Sequence, residues 1–340
     1  MLCTKVLKQT LYGNFSVRLA QFSLAIEPKH FSPLSNLPLK KQLHTMSAQL
    51  KVNTAEFTLN TGAKIPAVGL GTWRASEKDA AYNSVLTALK NGYRHIDTAA
   101  IYGNEEEVGR GIAAAGIPRS ELFVTTKLWN KKHKDVEAAL DESLKKLGLD
   151  YVDLYLIHWP VSTDPETDKP YSDHDFVDTW KTLQKIYKEG KKVKAIGVSN
   201  FTVKKLEKLL NADGVDVVPA ANQVEAHPLL TQPELYDYLK AKNIVLEAYS
   251  PLGSSESPLF KNKAITDIAE KNGVEPAQVL VSWTVQRDTV VLPKSVTDSR
   301  IISNIKTFTL SKEDFETLNK LSEKDGVVRT CNPGFNNFDD

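Results

Sequence analysis

Short apolar runs recur along the chain, and each of them ends at a polar or small residue. The runs are rich in β-branched side chains, which is typical of strands buried on both faces of a parallel sheet. The eight runs are Ala67–Leu70, Arg94–Ile96, Leu122–Thr126, Tyr151–Ile157, Val193–Val198, Val217–Val224, Ile244–Ala248 and Thr289–Leu292. Amphipathic stretches alternate with them and predict helices at Glu77–Asn91, Glu105–Ala115, Lys134–Leu147, Phe176–Glu189, Val203–Leu210, Pro233–Lys242, Ala264–Asn272 and Asp298–Ile305. Ser76 and Thr202 are the expected N-caps of two of these helices.

A strand followed by a helix, repeated eight times, predicts an α/β fold of the closed (β/α)8 type, the TIM barrel. A doubly wound open sheet is the alternative, but it would leave several polar strand ends away from a common crevice. A hairpin from Phe57 to Ile65 is expected to plug the amino-terminal end of the barrel. Extra helices are predicted at Pro276–Gln286 and Lys312–Leu321, followed by an irregular tail, Asp325–Asp340, over the mouth.

The polar residues that follow the strands would meet at one mouth, because the carboxyl ends of all eight strands converge in such a barrel. They are Trp73, Asp97 with Tyr102, Lys127, His158, Ser199 with Asn200, Glu225, Tyr249 with Ser250, and Lys294 with Ser295. Catalytic groups collect at this face of a barrel. The pattern therefore predicts an enzyme.

Composition and charge exclude other classes of function. The 340 residues carry a net charge of +1, which argues against a nucleic-acid partner. No apolar run approaches the roughly 18 residues that span a bilayer, so no membrane partner is expected. The two cysteines, Cys3 and Cys331, form neither a disulfide framework nor a metal-ligand spacing. His133 and His227 also lack ligand partners at useful spacing, so we predict no metal and a reducing compartment.

Residues 1–45 differ from the remainder, since they contain six Lys or Arg residues and a single acid, Glu27. Such a segment fits a mitochondrial transit peptide. The alternative is a misassigned start, with the natural chain beginning at Met46. Under either interpretation, residues 1–45 are predicted to be a disordered extension of a single domain, 46–340. The expected location is the cytoplasm, or the mitochondrion if the presequence is genuine.

Asp97 and Lys127 are the first candidates for chemistry, because each lies at the end of a buried run, where isolated charges are costly and pairing is expected. A structural ion pair would suffice for these two residues alone. Tyr102 changes the picture, since an ammonium at about 4 Å could stabilise a phenolate by up to about 4 kcal/mol. That allows the pKa of Tyr102 to fall by up to roughly three units before desolvation takes some back. His158 could donate a hydrogen bond to a substrate oxygen.

A tyrosine acid with a lysine neighbour and a histidine donor suits protonation of a carbonyl oxygen as hydride arrives on carbon. Hydride transfer requires a nicotinamide, which no side chain supplies. The segments Gly92–Ala99, Lys127–Trp129, Leu156–Pro160, Gly197–Phe201, Gln223–Pro228 and Leu292–Ser295 carry ordered motifs. Together these motifs resemble the aldo-keto reductase family over about residues 55–325. The resemblance is strongest to its fungal NADP-dependent glycerol dehydrogenase and aldehyde reductase subgroup.

The resemblance implies a role for each matching position. Tyr102 would be the general acid/base tuned by Lys127 and Asp97, with His158 orienting the carbonyl. NADP(H) would be held by Ser199, Asn200 and Gln223 at the carboxamide, Tyr249 on the ring, Ser250, Leu252 and Ser254 along the pyrophosphate, Lys294, Ser295 and Arg300 at the 2′-phosphate, and Asn304 at adenine. Trp73, Trp159 and His158 would line the substrate pocket.

The residues themselves also indicate a phosphate site, independently of the resemblance. Lys294, Ser295 and Arg300 place two cations and a hydroxyl at a strand end and the start of the next helix. A solvated basic turn that caps a helix, through Ser295 or Thr297, is the alternative interpretation of that cluster.

One glycine pattern in the chain only superficially resembles a dinucleotide-binding motif. Gly109–Ala114 fits a relaxed G-x-G-x-x-A pattern, but it follows three glutamates inside a predicted helix instead of a strand.

The expected function is NADPH-dependent reduction of aldehydes and ketones. The protein is expected to be a monomer that acts on a small-molecule carbonyl or alcohol, with polyol oxidation as the reverse reaction. The alternatives are a non-catalytic NADPH-binding regulatory subunit and, more narrowly, a xylose reductase.

Overall fold

A computed structural model describes residues 48–254 and 257–334 of the chain. The predictions for residues 1–45 and for the end of the tail lie outside the described residues. The strands are β1 (Lys51–Val52), β2 (Glu56–Thr58), β3 (Lys64–Pro66), β4 (Leu70–Gly71), β5 (His95–Asp97), β6 (Phe123–Leu128), β7 (Val152–Ile157), β8 (Val193–Ser199), β9 (Ala221–Glu225), β10 (Val245–Tyr249), β11 (Val290–Val291) and β12 (Lys306–Thr307). The helices are α1 (Ala80–Lys90), α2 (Glu105–Ala115), α3 (Val136–Leu147), α4 (Phe176–Glu189), α5 (Val203–Leu210), α6 (Pro233–Ala241), α7 (Lys263–Asn272), α8 (Pro276–Gln286), α9 (Asp298–Asn304), α10 (Lys312–Asn319) and α11 (Leu321–Asp325).

Strands β4 to β11 form one parallel sheet whose spatial order follows the chain. Parallel bridges from Val68 to Val291 and from Gly71 to Lys294 join its first and last strands. The sheet therefore closes on itself, and the predicted barrel is confirmed. Strands β4 and β11 are shorter than the apolar runs predicted there, because single bridges instead of a continuous ladder complete the closure.

Two short pairs of strands lie outside the barrel. The predicted hairpin is confirmed, since β2 pairs antiparallel with β3 and aligns Phe57 with Ile65. Ile65 is fully buried and belongs to one apolar cluster with Leu154 and Leu156 of the barrel wall. The hairpin is thus part of the core. Strand β1 pairs with β12, a contact between distant segments that no local pattern indicated.

The helices agree with the predicted ones, apart from shifts of one to three residues at several ends and one interruption. Helix α1 begins at Ala80 and not at Glu77, so the expected cap at Ser76 is wrong. The N-cap of α1 is Asp79, whose backbone lies in the left-handed region at φ 59°. The N–H groups of Asp79 and Ala81 donate to the Glu107 carboxylate of α2 at 3.0 and 3.1 Å. A neighbouring helix therefore supplies the cap. Thr202 caps α5 as predicted, by accepting a hydrogen bond from the Lys205 N–H.

The predicted helix Lys312–Leu321 is interrupted, and α10 and α11 meet at Lys320. The backbone of Lys320 lies at φ −98° and ψ 4°, which ends the regular helix there. Among the described residues, no helix combines the length and apolar character needed to cross a membrane.

Gly109 and Gly111 lie inside α2, which confirms that their glycine pattern is not a phosphate loop. A Cβ atom at Gly109 would overlap the backbone carbonyl of Leu147 at the end of α3. One at Gly111 would lie 2.9 Å from both the Tyr82 carbonyl oxygen and Val85 Cβ of α1. These glycines allow α2 to pack closely between two helices.

We therefore expect G109A to lower the free energy of unfolding by about 3 kcal/mol and G111A by somewhat less. G109A should cost more because its Cβ would meet backbone atoms of Leu147, which cannot move aside as readily as the Val85 side chain beside Gly111. G116A is the control, since its φ of +68° disfavours alanine but nothing lies within 4 Å. It should cost about 1 kcal/mol. Urea unfolding measures all three, and equal values would contradict the packing explanation.

Candidate active site

A buried ion pair lies at the centre of the barrel mouth. Asp97 ends β5 and Lys127 lies on the adjacent strand β6. Lys127 Nζ donates to Asp97 Oδ1 at 2.6 Å and to the Thr98 carbonyl at 2.9 Å. Burial opposes the charge of Lys127, but Asp97 and Tyr102 outweigh it and raise the lysine pKa. The ammonium is therefore retained in a site that excludes water.

Tyr102 lies beside this pair, on the short 3-10 turn Ala100–Tyr102 that follows β5. Lys127 Nζ is 5.2 Å from the centre of its ring. Burial raises the pKa of Tyr102 to about 12, and the Lys127 ammonium offsets only part of this. The sequence allowed the pKa of Tyr102 to fall before desolvation was counted, but in the structure this pKa is raised. Desolvation of the phenolate outweighs the attraction of the lysine, while Asp97 cancels part of that attraction.

His158 directly follows β7, and its ring lies 5.7 Å from that of Tyr102 in an edge-on arrangement. Trp129 packs against the same imidazole at 5.4 Å. Burial, followed by the positive charge of Lys127, lowers the pKa of His158 well below its ordinary value. The ring is thus neutral at physiological pH. Its Nδ1 atom is buried without a hydrogen-bond partner in the described ranges.

Four residues from the next strands form one polar network beside His158. Asn200, at φ 64°, donates through Nδ2 to the His158 carbonyl at 3.0 Å and to Ser199 Oγ at 3.1 Å. Ser199 Oγ donates to the Gln223 carbonyl at 2.7 Å, and the Tyr249 hydroxyl donates to Asn200 Oδ1 at 2.8 Å. The structure therefore brings together all the residues that were expected at the nicotinamide.

Gln223 also connects this network to the ion pair across the mouth. Its Nε2 donates to Asp97 Oδ2 at 2.8 Å and, at 3.4 Å, to Glu247. Burial and then the charge of Asp97 raise the pKa of Glu247 to about 8. Its surroundings thus favour the protonated form of Glu247. Sequence reasoning did not select it, although a single acid within a buried run was a usable signal.

The predicted phosphate residues lie after β11, at a different part of the rim. Lys294 donates to the Arg74 carbonyl at 3.2 Å. Burial, followed by the charge of Arg74, lowers the pKa of Lys294, so two cations lie close together. Arg74 was missed by sequence reasoning, although a cation directly after Trp73 at a strand end was a signal.

The other residues expected to hold the cofactor lie in the turn before α9, on α9 and directly after β10. Ser295 Oγ accepts from the Thr297 N–H at 3.0 Å, so it shapes the turn before α9 instead of capping the helix directly. Arg300 is exposed on α9, whereas Asn304 is 4% exposed. Ser250, Leu252 and Ser254 line the turn after β10, where Ser250 and Ser254 adopt positive φ angles.

The two tryptophans expected at the substrate pocket have different surroundings. Trp159 is buried and stacks near His158, with ring centres 6.4 Å apart. Trp73 is partly exposed, with the Arg74 guanidinium 4.5 Å from its ring centre. Within residues 48–254 and 257–334, no cluster of three or more His, Cys, Asp or Glu residues could hold a metal ion.

Comparison with known proteins gives a consistent result. Residues 67–323 match the model of the aldo/keto reductase family. The chain is 52% identical over 311 residues to glycerol 2-dehydrogenase (NADP(+)) of Saccharomyces cerevisiae, which covers 86% of this chain and 99% of the relative. An aldehyde reductase of the same yeast is 51% identical over 310 residues, with the same coverage.

A solved structure supports the same relationship. The crystal structure of an aldo-keto reductase from Bombyx mori in complex with NADP superposes with a TM-score of 0.74 and is 37% identical. The match covers 83% of this chain and 100% of that one.

The buried pair gives a test of the site's electrostatics. We expect K127M to lower the free energy of unfolding by about 3–5 kcal/mol, because it leaves the Asp97 carboxylate buried without its counter-charge. K131M is the matched control, since it removes an exposed pair with Asp168 of the same 2.6 Å length. That change should cost no more than about 1 kcal/mol. Equal losses in urea unfolding would show that the Lys127 charge is not compensated by Asp97.

Proposed function

The chain belongs to the aldo/keto reductase family, and from this premise we propose which of its side chains carry the reaction. The protein is an NADP-dependent oxidoreductase that reduces aldehydes and ketones. Tyr102 is the proton donor in this proposal. The observation that carries it is the Lys127–Asp97 ion pair beside the Tyr102 ring, with the His158 ring 5.7 Å from the same ring.

Tyr102 is suited to protonate a carbonyl oxygen because it keeps its own proton. Its pKa of about 12 means that the hydroxyl is protonated throughout the physiological range. NADPH, when bound, supplies the hydride. Lys127 stabilises the phenolate that remains after proton transfer, and Asp97 keeps Lys127 charged and oriented. In the alcohol-oxidation direction, the same phenolate would accept the proton.

His158 orients the substrate in this proposal and does not act as an acid. A neutral imidazole has one N–H to donate, and the lowered pKa of His158 keeps it neutral. Its Nδ1 is buried without a hydrogen-bond partner in the described residues, and in this proposal the N–H is on Nε2, which donates to the carbonyl oxygen. Two donors, Tyr102 and His158, would then polarise the same oxygen.

The residues present fit NADP(H). Lys294 and Arg74 form a cluster of positive charge at the rim, and a 2′-phosphate would relieve their mutual repulsion. The Tyr249 hydroxyl is held by Asn200, so its ring is a fixed platform for a nicotinamide. In this proposal the groups that hold the cofactor are Ser199, Asn200 and Gln223 at the carboxamide, Ser250, Leu252 and Ser254 at the pyrophosphate, Lys294, Ser295 and Arg300 at the 2′-phosphate, and Asn304 at adenine.

Small polar aldehydes and ketones are the proposed substrates, because relatives are named as glycerol 2-dehydrogenase, aldehyde reductase and glyoxal reductase. Trp73, Trp159 and His158 would form the walls of their pocket. A monomer is proposed, since every residue assigned to the site belongs to one chain. Placement in the cytoplasm, or in mitochondria through residues 1–45, stays a prediction.

Y102F tests the assignment of the acid. Removing the hydroxyl should lower kcat for glyceraldehyde reduction by at least about 100-fold, because general acid catalysis contributes about 10²–10⁴ in rate. NADPH affinity, measured by fluorescence titration, should stay within about twofold of wild type. Y187F on α4 is the control and should retain full activity. Substantial reduction by Y102F would mean that another group donates the proton.

A panel of carbonyl substrates separates this function from its alternative. Wild-type protein should oxidise NADPH with glyceraldehyde, methylglyoxal, xylose or aromatic aldehydes. NADPH binding without turnover on any of them would favour the regulatory-subunit role, and a strong preference for xylose would favour a xylose reductase.

K294E tests the 2′-phosphate site. Reversal of the charge should raise the KM for NADPH at least about tenfold, since a charge-assisted contact contributes about 1.5–3 kcal/mol. The KM for NADH, which lacks the 2′-phosphate, should change no more than about twofold. K145E, an exposed reversal on α3, is the control for net charge. Equal effects of K294E on both cofactors would refute the assignment.

A further inference from the structure

Glu225 is a buried carboxylate at the mouth that the proposed reaction does not use. It ends β9, two residues after Gln223, so both side chains point to the same side of the strand. Its side chain is fully buried. A carboxylate in such a place is costly unless hydrogen bonds and positive charge compensate it. The partners of Glu225 are therefore informative.

Most of these partners come from the C-terminal segment, residues 328–331. The Thr330 N–H and hydroxyl each donate to Glu225 Oε1 at 2.6 Å. The Cys331 N–H donates to Oε2 at 3.0 Å, and an Arg329 guanidinium nitrogen lies 3.8 Å from the same oxygen. In addition, the Val328 N–H donates to the Leu229 carbonyl at 2.9 Å. One carboxylate thus fixes three consecutive residues of the tail.

A role limited to contacts within its own turn does not explain most of the hydrogen bonds of the Glu225 side chain. His227 Nε2 lies 3.1 Å from Oε1, and this contact within one turn would exist without the tail. The tail donors, in contrast, lie 105 and 106 positions along the chain. Burial acts to raise the pKa of Glu225, but the hydrogen bonds from His227 and Thr330 outweigh it and hold the pKa below its ordinary value.

The held segment reaches Tyr249 at the end of β10. Tyr249 is the register partner of Glu225 on β10. Burial raises the pKa of Tyr249 well above its ordinary value, and the Cys331 thiol beside it acts in the same direction. Cys331 also influences Tyr102 electrostatically. The segment that Glu225 holds therefore lies next to the proposed nicotinamide platform.

We propose that Glu225 is a positioning residue that anchors segment 328–331 over the mouth and thereby determines how tightly the carbonyl substrate is retained. This inference rests on the proposed function. The anchor takes no part in proton transfer, so its loss should affect KM for the carbonyl and not kcat. The negative charge is required, because the tail presents three donors and a cation to the two oxygens.

E225Q is the principal test, since glutamine keeps the size of the side chain but replaces one acceptor oxygen with a donor. The KM for glyceraldehyde should rise about tenfold, equivalent to about 1.4 kcal/mol, with kcat within about twofold of wild type. T330V removes only the hydroxyl bond and should raise KM about threefold. E234Q, an exposed substitution at the start of α6, is the matched control and should leave both constants unchanged.

Limited trypsin digestion gives a readout of the anchor that does not depend on activity. Cleavage after Arg329 releases residues 330–340, which intact-mass spectrometry detects. Cleavage at this bond should be at least about tenfold faster in E225Q than in wild type or E234Q, with T330V between them, because proteases require a locally released backbone.

The two readouts separate the possible failures. Wild-type cleavage rates in E225Q would overturn the anchor, and fast cleavage with an unchanged KM would overturn its role in substrate retention. If E225Q does not fold, T330V decides, since wild-type values for both readouts would contradict the proposal. Absence of carbonyl reduction by the wild-type protein would instead refute the proposed function, while the trypsin rates would still test the anchor.

Discussion

The buried contact between Lys127 and Asp97 is the interaction on which the rest of the mouth depends. An ammonium enclosed by a barrel cannot persist without a counter-charge, and Asp97 provides it at 2.6 Å. The same carboxylate accepts from Gln223 on the far side of the mouth. Because one acid serves two partners on different strands, the strand ends are held in register with one another. The charge next to Tyr102 is a consequence of this arrangement.

Desolvation has opposite effects on the two groups that face the substrate. It raises the pKa of Tyr102 to about 12 and lowers that of His158 well below its ordinary value. Both groups are consequently neutral hydrogen-bond donors at physiological pH. A water-filled site would leave the tyrosine pKa near 10 and allow the histidine to charge near pH 6.5. The closed packing around the mouth therefore keeps His158 uncharged, whereas Tyr102 would keep its proton at physiological pH in either environment.

Much of the barrel and of the site could be predicted because local rules apply directly to it. Helices α2, α4, α5 and α8 begin and end at the predicted residues. Predictions failed where a distant group competed with a local signal. Ser76 is a good capping residue, yet Glu107 from another helix caps α1. Attraction between Lys127 and Tyr102 was correctly expected, but the larger cost of burial could not be estimated from their spacing in the chain.

The order of strands and helices and the identity of the polar residues at the strand ends could be inferred from the sequence alone. This was possible because hydrophobic periodicity and closure of the barrel depend on near neighbours and on one repeated unit. Which of those polar residues touch depends on the folded structure. Glu225 contacts residues 105 and 106 positions away, and Arg74 lies beside Lys294, 220 positions away. Contacts of that separation depend on how the chain closes in space, and electrostatic free energies depend on the resulting distances and burial.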